Sequence, residues 1–236
     1  MVPVTHVIFD LDGLLINSDL LYEDVYRKVC LNHGKYFSWD LKKKVCGRPS
    51  TDVQPIIVES LGLPISLEQF KQEVEAELAC VLPNTQLMPG AERLLMHLHE
   101  NNIPMAIATS SAQKQFKIKT ENLKFYHYFN HILTGPNEPK VKKGKPAPDI
   151  FLICREKFPT KQDGSMDPLN KFLVFEDSVA GVVGAAAAGM QVVMVPDPRV
   201  DIALERLDPA FKPTVVVKSL LDFKPEIFGL PPFPEE

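Results

Sequence analysis

Asp10 and Asp12, two carboxylates one residue apart, close a short apolar run and are followed at once by Gly13. A second acidic pair, Glu176-Asp177, closes the run Lys171-Phe-Leu-Val-Phe175. Thr109 and Ser110 end the run Pro104-Met-Ala-Ile-Ala-Thr109, and Lys145 lies in the loop after His131-Ile-Leu-Thr134. Acids at this spacing could do nucleophilic or general acid–base work, or hold a cation. A Ca²⁺ loop needs glycine at its sixth position and a bidentate glutamate at its twelfth. Counted from Asp10, glycine comes fourth and the twelfth residue is Leu21, so that explanation fails.

The elements that carry these residues follow from their composition. Each run is short and rich in β-branched and aromatic residues, which reads as a strand, and its near-continuous apolar character suits burial on both faces. Helical patterns separate the strands: about Pro89–Asn101, Ser111 towards Leu123, Pro148–Phe158, and Ser178–Ala188 ending at Gly189. Gln191–Val195 and Thr214–Val217 complete the strand set. The alternation predicts an α/β fold with a doubly wound parallel sheet, Rossmann-like in its core, with right-handed crossovers. In such a sheet the carboxyl ends of the strands share one edge, where ligands bind. Four carboxylates, one lysine and two hydroxyls therefore converge. So many like charges cannot stay ionised together without a cation, and an oxygen-only donor set suits Mg²⁺.

Residues 19–84 have a different texture. Apolar residues recur at helical spacing, as in Leu21, Val25 and Val29 with Tyr22 and Tyr26, and Ser66-Leu-Glu-Gln69 is a capping-box pattern. Gly62-Leu-Pro64 ends one helix before the next begins. About four helices and no strand are expected here, as a helical domain inserted into a core made of residues 1–18 and 85–236. Trp39 fits the core of that insertion better than a substrate platform. Gly181, Gly184 and the alanines that follow fit close packing of a helix on the sheet.

At 236 residues, with 45% apolar and 24% charged residues, the chain has the composition of a soluble globular protein. Its net charge of −4 and scattered lysines give no nucleic-acid footprint. No run is long enough to span a membrane, and the N-terminus lacks a basic stretch leading into an apolar one. Cys30, Cys46, Cys80 and Cys154 form no C-x-x-C pair, which is expected of reduced thiols in the cytosol. A cytoplasmic monomer is the default expectation.

Four motifs in order carry a resemblance: Phe9-Asp10-Leu11-Asp12-Gly13, Ala108-Thr109-Ser110-Ser111, Gly144-Lys145-Pro146-Ala147-Pro148-Asp149, and Phe175-Glu176-Asp177-Ser178. The chain resembles the haloacid dehalogenase superfamily in its phosphatase branch, with residues 19–84 at the position of the C1-type cap. Such likeness implies that Asp10 is the nucleophile, that Asp12 is the general acid and base, and that Thr109, Ser110 and Lys145 hold the phosphoryl group. It implies Mg²⁺ held by Asp10, the Asp12 backbone carbonyl and Asp177, with Glu176 acting through water. Dehalogenases of the superfamily lack the second aspartate, so Asp12 favours phosphate esters. The mutase branch carries histidine ten residues after that aspartate, where this chain has Tyr22.

Phe37-Ser-Trp39-Asp40, Leu87-Met-Pro-Gly-Ala91 and Phe228-Gly-Leu-Pro231 are similar to the animal pseudouridine-5′-phosphatase group, which implies a nucleoside monophosphate substrate. Related capped phosphatases act on glycerol phosphate, sugar phosphates or flavin mononucleotide. Gly47-Arg48-Pro49 is a candidate substrate-binding loop, with Arg48 suited to phosphate or base carbonyls and Ser111 a further candidate contact. Asn17 and Asp19 stand where many relatives have Asp and Glu. A non-enzymatic phosphometabolite-binding protein on the same fold would be expected to lose one of Asp10, Asp12, Lys145 or Asp177, and none is lost.

Overall fold

The computed structural model describes residues 1–45, 50–199 and 204–234. The sheet comprises β1 (His6–Phe9), β2 (Met105–Thr109), β3 (His131–Thr134), β4 (Phe172–Glu176), β5 (Gln191–Met194) and β6 (Val215–Val216). Their spatial order is β3-β2-β1-β4-β5-β6, and every neighbouring pair is parallel. The order reverses at β1, so the residues just after Phe9 emerge between β2 and β4, at the switch point where parallel sheets leave a crevice. Val4 does not extend the strand: its N–H donates to Phe228 O in the C-terminal segment.

Period-two alternation gives the sheet two apolar faces. Val7, Phe9, Ile107 and Phe175 point to one side, where they meet Leu94 and Leu98 of α5 (Ala91–Glu100) and Phe116 of α6 (Gln113–Thr120). Ile8, Ala106, Ala108 and Val174 point to the other, onto Phe151 of α7 (Asp149–Glu156) and Val182 and Ala185 of α8 (Val179–Ala187). Burying one such large side chain contributes roughly 1.5–3 kcal/mol, and these contacts fix the strand ends against one another. At α8 the Ser178 hydroxyl accepts from Gly181 N at 3.1 Å, and Gly189, at φ +77°, ends the helix.

Between β1 and α5 the chain forms four helices that are adjacent in sequence: α1 (Ser18–Asn32), α2 (Trp39–Val45), α3 (Ser50–Leu61) and α4 (Leu67–Val81). Val25, Tyr26, Val29, Phe37, Ile57, Phe70 and Val74 form a separate apolar cluster among them, so the stripe on α1 is buried as its spacing predicts. Ser66 Oγ accepts from Gln69 N at 3.1 Å, while the Gln69 side chain turns to Glu73 and completes no reciprocal box. Trp39 departs from expectation. It is half-buried and outside that cluster, with the Arg199 guanidinium 5.2 Å from its ring centre. A bulky ring in the first turn of a seven-residue helix lies at the end of the bundle, within reach of the loop after β5.

The chain passes between sheet and helices twice, and the two passages are tied together. Ile16 bridges Leu87, Asn17 N donates to Gln86 O at 3.0 Å, and Gln86 N donates to Asn17 Oδ1 at 2.9 Å. No described helix is long and apolar enough to cross a membrane.

Candidate active site

Asp10 follows β1 directly, and its N–H continues the ladder to Phe175 O at 3.0 Å, which places its side chain over the crevice. Lys145 reaches it from the loop between β3 and α7. Its ammonium donates to Asp10 Oδ1 at 2.5 Å, Glu176 Oε1 at 2.6 Å and Ala108 O at 3.2 Å, so all three protons are used. Burial alone would lower the lysine's pKa, but the two carboxylates outweigh it and raise it. Burial, with Glu176 and Asp12 nearby, pushes Asp10 up to about 8 against the pull of Lys145. Among the described residues, Asp10 Oδ2 takes no hydrogen bond, which leaves it open to phosphorus or to a cation.

Glu176 ends β4 fully buried. Its second oxygen, Oε2, accepts from Ser178 N at 3.2 Å and Ser178 Oγ at 3.0 Å. A carboxylate engaged at both oxygens holds Lys145 in place rather than offering itself freely. One oxygen from each of Asp10, Glu176 and Asp177 lies within 4.8 Å of the others. Burial and the neighbouring Glu176, Asp19 and Asp10 carboxylates raise Asp177 well above the usual range. A β-carbon at Gly13 would stand 2.4 Å from Asp177 Oδ2, so glycine with its φ of +79° leaves that carboxylate its room. Oxygen donors crowded together at low dielectric fit a hard divalent cation, which removes the cause of their raised proton affinity.

Asp12 is held by a separate set of donors. Its Oδ1 accepts from Ser18 Oγ at 2.5 Å and Lys119 Nζ at 2.7 Å, and its Oδ2 from Ser111 Oγ at 2.7 Å and Thr109 Oγ1 at 3.3 Å. Burial by itself would raise its pKa, but the Lys119 ammonium and these hydrogen bonds hold it below the usual value. The two aspartates thus differ in proton affinity although one residue separates them, and for Asp10 to act as nucleophile and Asp12 as acid a cation must displace the Asp10 proton and Asp12 must leave Lys119. Such a pair can divide nucleophilic and acid–base work.

Of the residues singled out from sequence, the structure brings together Asp10, Asp12, Thr109, Ser111, Lys145, Glu176 and Asp177. Ser110 is exposed, and among the described residues its hydroxyl makes no hydrogen bond. Arg48 lies outside the described residues. Lys119 was missed. It is 4% exposed, and its ammonium lies 4.8 Å from the Tyr22 ring centre. The signal was available as the spacing Phe116, Lys119, Thr120, a buried stripe on α6 with a lysine inside it.

The sequence profile of the haloacid dehalogenase-like hydrolases matches residues 7–195, which span the carboxyl ends of β1 to β5. The chain belongs to the haloacid dehalogenase-like hydrolase family. Within the family it is 44% identical to (DL)-glycerol-3-phosphatase 2 of Arabidopsis thaliana, over 98% of this chain and 93% of that one. It is 42% identical to a probable pseudouridine-5′-phosphatase of Drosophila melanogaster, over 98% and 96%. A solved family hydrolase from Deinococcus radiodurans R1, with bound phosphate and sodium, superposes with a TM-score of 0.77 at 21% identity, covering 96% of both chains. At that identity the likeness is one of fold.

Proposed function

We propose that the protein is a Mg²⁺-dependent phosphomonoesterase acting through an aspartyl phosphate on a small phosphorylated metabolite. The observation that carries this reading is the convergence of Lys145, Glu176 and Asp177 on Asp10, whose Oδ2 stays open. Lys145 engages Asp10, while Lys119, Ser18 and Ser111 engage Asp12. Asp10 Oδ2 attacks phosphorus in line, the P–O bond to the alcohol breaks, and Asp12, having released Lys119 and taken up a solvent proton, delivers that proton to the departing oxygen. Asp12 then takes a proton from the water that attacks the aspartyl phosphate, releasing phosphate and restoring Asp10. Lys145 offsets charge on the nucleophile and phosphoryl oxygens, and Glu176 positions Lys145. Thr109 and the backbone N–H of Ser110 would support the phosphoryl group.

Asp10, the Asp12 carbonyl and Asp177 would hold Mg²⁺, which when bound neutralises the phosphoryl charge and orients it for in-line transfer. Residues 19–84 serve as a cap that excludes bulk water, hinged at the passages around Asn17 and Gln86. The first choice of substrate is a nucleoside 5′-monophosphate such as pseudouridine 5′-phosphate. Identity to the Drosophila protein supports it. The second reading is glycerol phosphate, supported by the 44% identity to the plant enzyme.

A phosphate-release screen over pseudouridine 5′-phosphate, other nucleotides, glycerol 3-phosphate, sugar phosphates and flavin mononucleotide, ranked by kcat/KM, tests the choice. Pseudouridine 5′-phosphate should lead by about tenfold or more, the scale of one well-placed contact. A lead for glycerol 3-phosphate would move the assignment to the second reading, and no hydrolysis of any of them would reject the proposal.

A further inference from the structure

Lys119 is a buried ammonium whose only carboxylate hydrogen-bond partner among the described residues is Asp12, at 2.7 Å; it also bonds Ser111 Oγ at 2.9 Å and the Tyr22 hydroxyl. Thr109, Ser111, Ser18 and Lys119 together form a cradle of four donors, and the Asp12 carboxylate fills it. That arrangement conflicts with the work assigned to Asp12. A carboxylate accepting four hydrogen bonds has no lone pair free to carry a proton to a leaving group. To act, Asp12 must give up some of these donors. Lys119 would then be a buried charge with no carboxylate bonded to it and only the more distant Asp19 to offset it, which is costly. The species arriving at that moment is itself an anion with several oxygens at similar spacing.

We propose that Thr109, Ser111 and Lys119 form a binding subsite for a phosphoryl anion, and that the Asp12 carboxylate occupies it until the anion arrives. Lys119 is then a substrate-binding residue, supplied by α6 rather than by any strand end. The exchange frees Asp12 to turn towards the leaving oxygen only when a phosphoryl group is present, while Lys119 stays paired throughout. This inference rests on the phosphatase reading for the identity of the anion, but its test requires no turnover.

The test is calorimetric titration of the full chain with inorganic phosphate in the presence of Mg²⁺, for wild type, Lys119→Met, Asp12→Ala and the double variant. Lys119→Met should weaken phosphate roughly tenfold, the scale of one charge-assisted contact. Asp12→Ala should move the other way, tightening phosphate about fivefold or more, because the competing carboxylate is gone. The gain from Asp12→Ala should shrink below about twofold in the Lys119→Met background, since the vacated cradle has lost its cation. Should Lys119→Met not fold, the opposite shift expected for Asp12→Ala and a weakening in Ser111→Ala still decide the matter. Wild-type affinity in Lys119→Met, or an equal gain from Asp12→Ala in both backgrounds, would overturn the subsite. Failure of the wild type to release phosphate from any ester would instead overturn the phosphatase reading, and leaves these binding shifts as a separate result.

Discussion

Arg199 lies over Trp39, its guanidinium carbon 5.2 Å from the ring centre, and joins the loop after β5 to the first turn of α2. The same guanidinium bonds Glu23 Oε2 on α1 at 3.1 Å and Asp197 Oδ2 at 2.7 Å. Glu23 also meets Arg27 and Lys42, so loss of Arg199 leaves no orphaned charge there. Arg199→Ala should loosen the helical insertion on the sheet, raising KM about three- to tenfold with kcat changed by less than about twofold, on the scale of a partly exposed cation–π and ion-pair contact. Trp39 is the chain's single tryptophan, so its emission reports this contact directly. A red shift is expected in the variant; unchanged emission together with unchanged KM would remove the contact from the account.

Gly181 sits in the first turn of α8, where a β-carbon would fall 1.8 Å from the carboxyl carbon of Glu176. Glu176 cannot retreat, because Lys145 and Ser178 hold both its oxygens. Glycine-to-alanine in a helix ordinarily gains up to about 1 kcal/mol. Here the sign should reverse, with a loss of roughly 2–3 kcal/mol and a fall in Tm of about 5–10 °C. Activity should fall with it, since Lys145 loses its second anchor. A thermal melt of Gly181→Ala at or above the wild-type Tm would show that the close approach does not matter.

Burial holds Asp10 at about 8, so the folded chain without a divalent cation keeps a proton there at neutral pH that the unfolded chain gives up. The stability associated with that proton is present at low pH and is lost as pH rises through about 8. Cation binding must displace the proton. Apparent Mg²⁺ affinity should therefore rise by up to about tenfold per pH unit between roughly pH 6 and 8, with protons released on binding. Calorimetry of Mg²⁺ binding in two buffers of different ionisation enthalpy measures this directly. Equal heats in both buffers at neutral pH would contradict it.

The sheet and the placement of its acids were legible because β1, β2 and β4 are short, nearly unbroken apolar runs that end abruptly in reactive residues. The helices between β1 and α5 were legible from Val25 and Val29 on α1 and from Ser66 at the start of α4, which does cap its helix. Lys119 was passed over: its spacing from Phe116 sets it on the buried stripe of α6 and apart from Lys114 and Lys117, but what its ammonium meets there, Asp12 and Ser111, is distant in sequence. Trp39 was misplaced for a similar reason: its partner, Arg199, comes from the far end of the chain. Asn17 looks like a helix cap by type, yet its side chain is engaged by Gln86 N across the two passages.

Phosphorylation of Asp10 during turnover is the step the proposed function most directly requires. Rapid acid quench of the enzyme with substrate and Mg²⁺, followed by peptide mass spectrometry, should find a phosphoryl group on the peptide containing Asp10. Asp10→Asn should lack this adduct and release phosphate at least about a thousandfold more slowly, as expected when the nucleophile is removed, while keeping its fold. A wild-type enzyme that turns over with no adduct on that peptide, or an Asp10→Asn variant that still releases phosphate at a near-normal rate, would contradict the account.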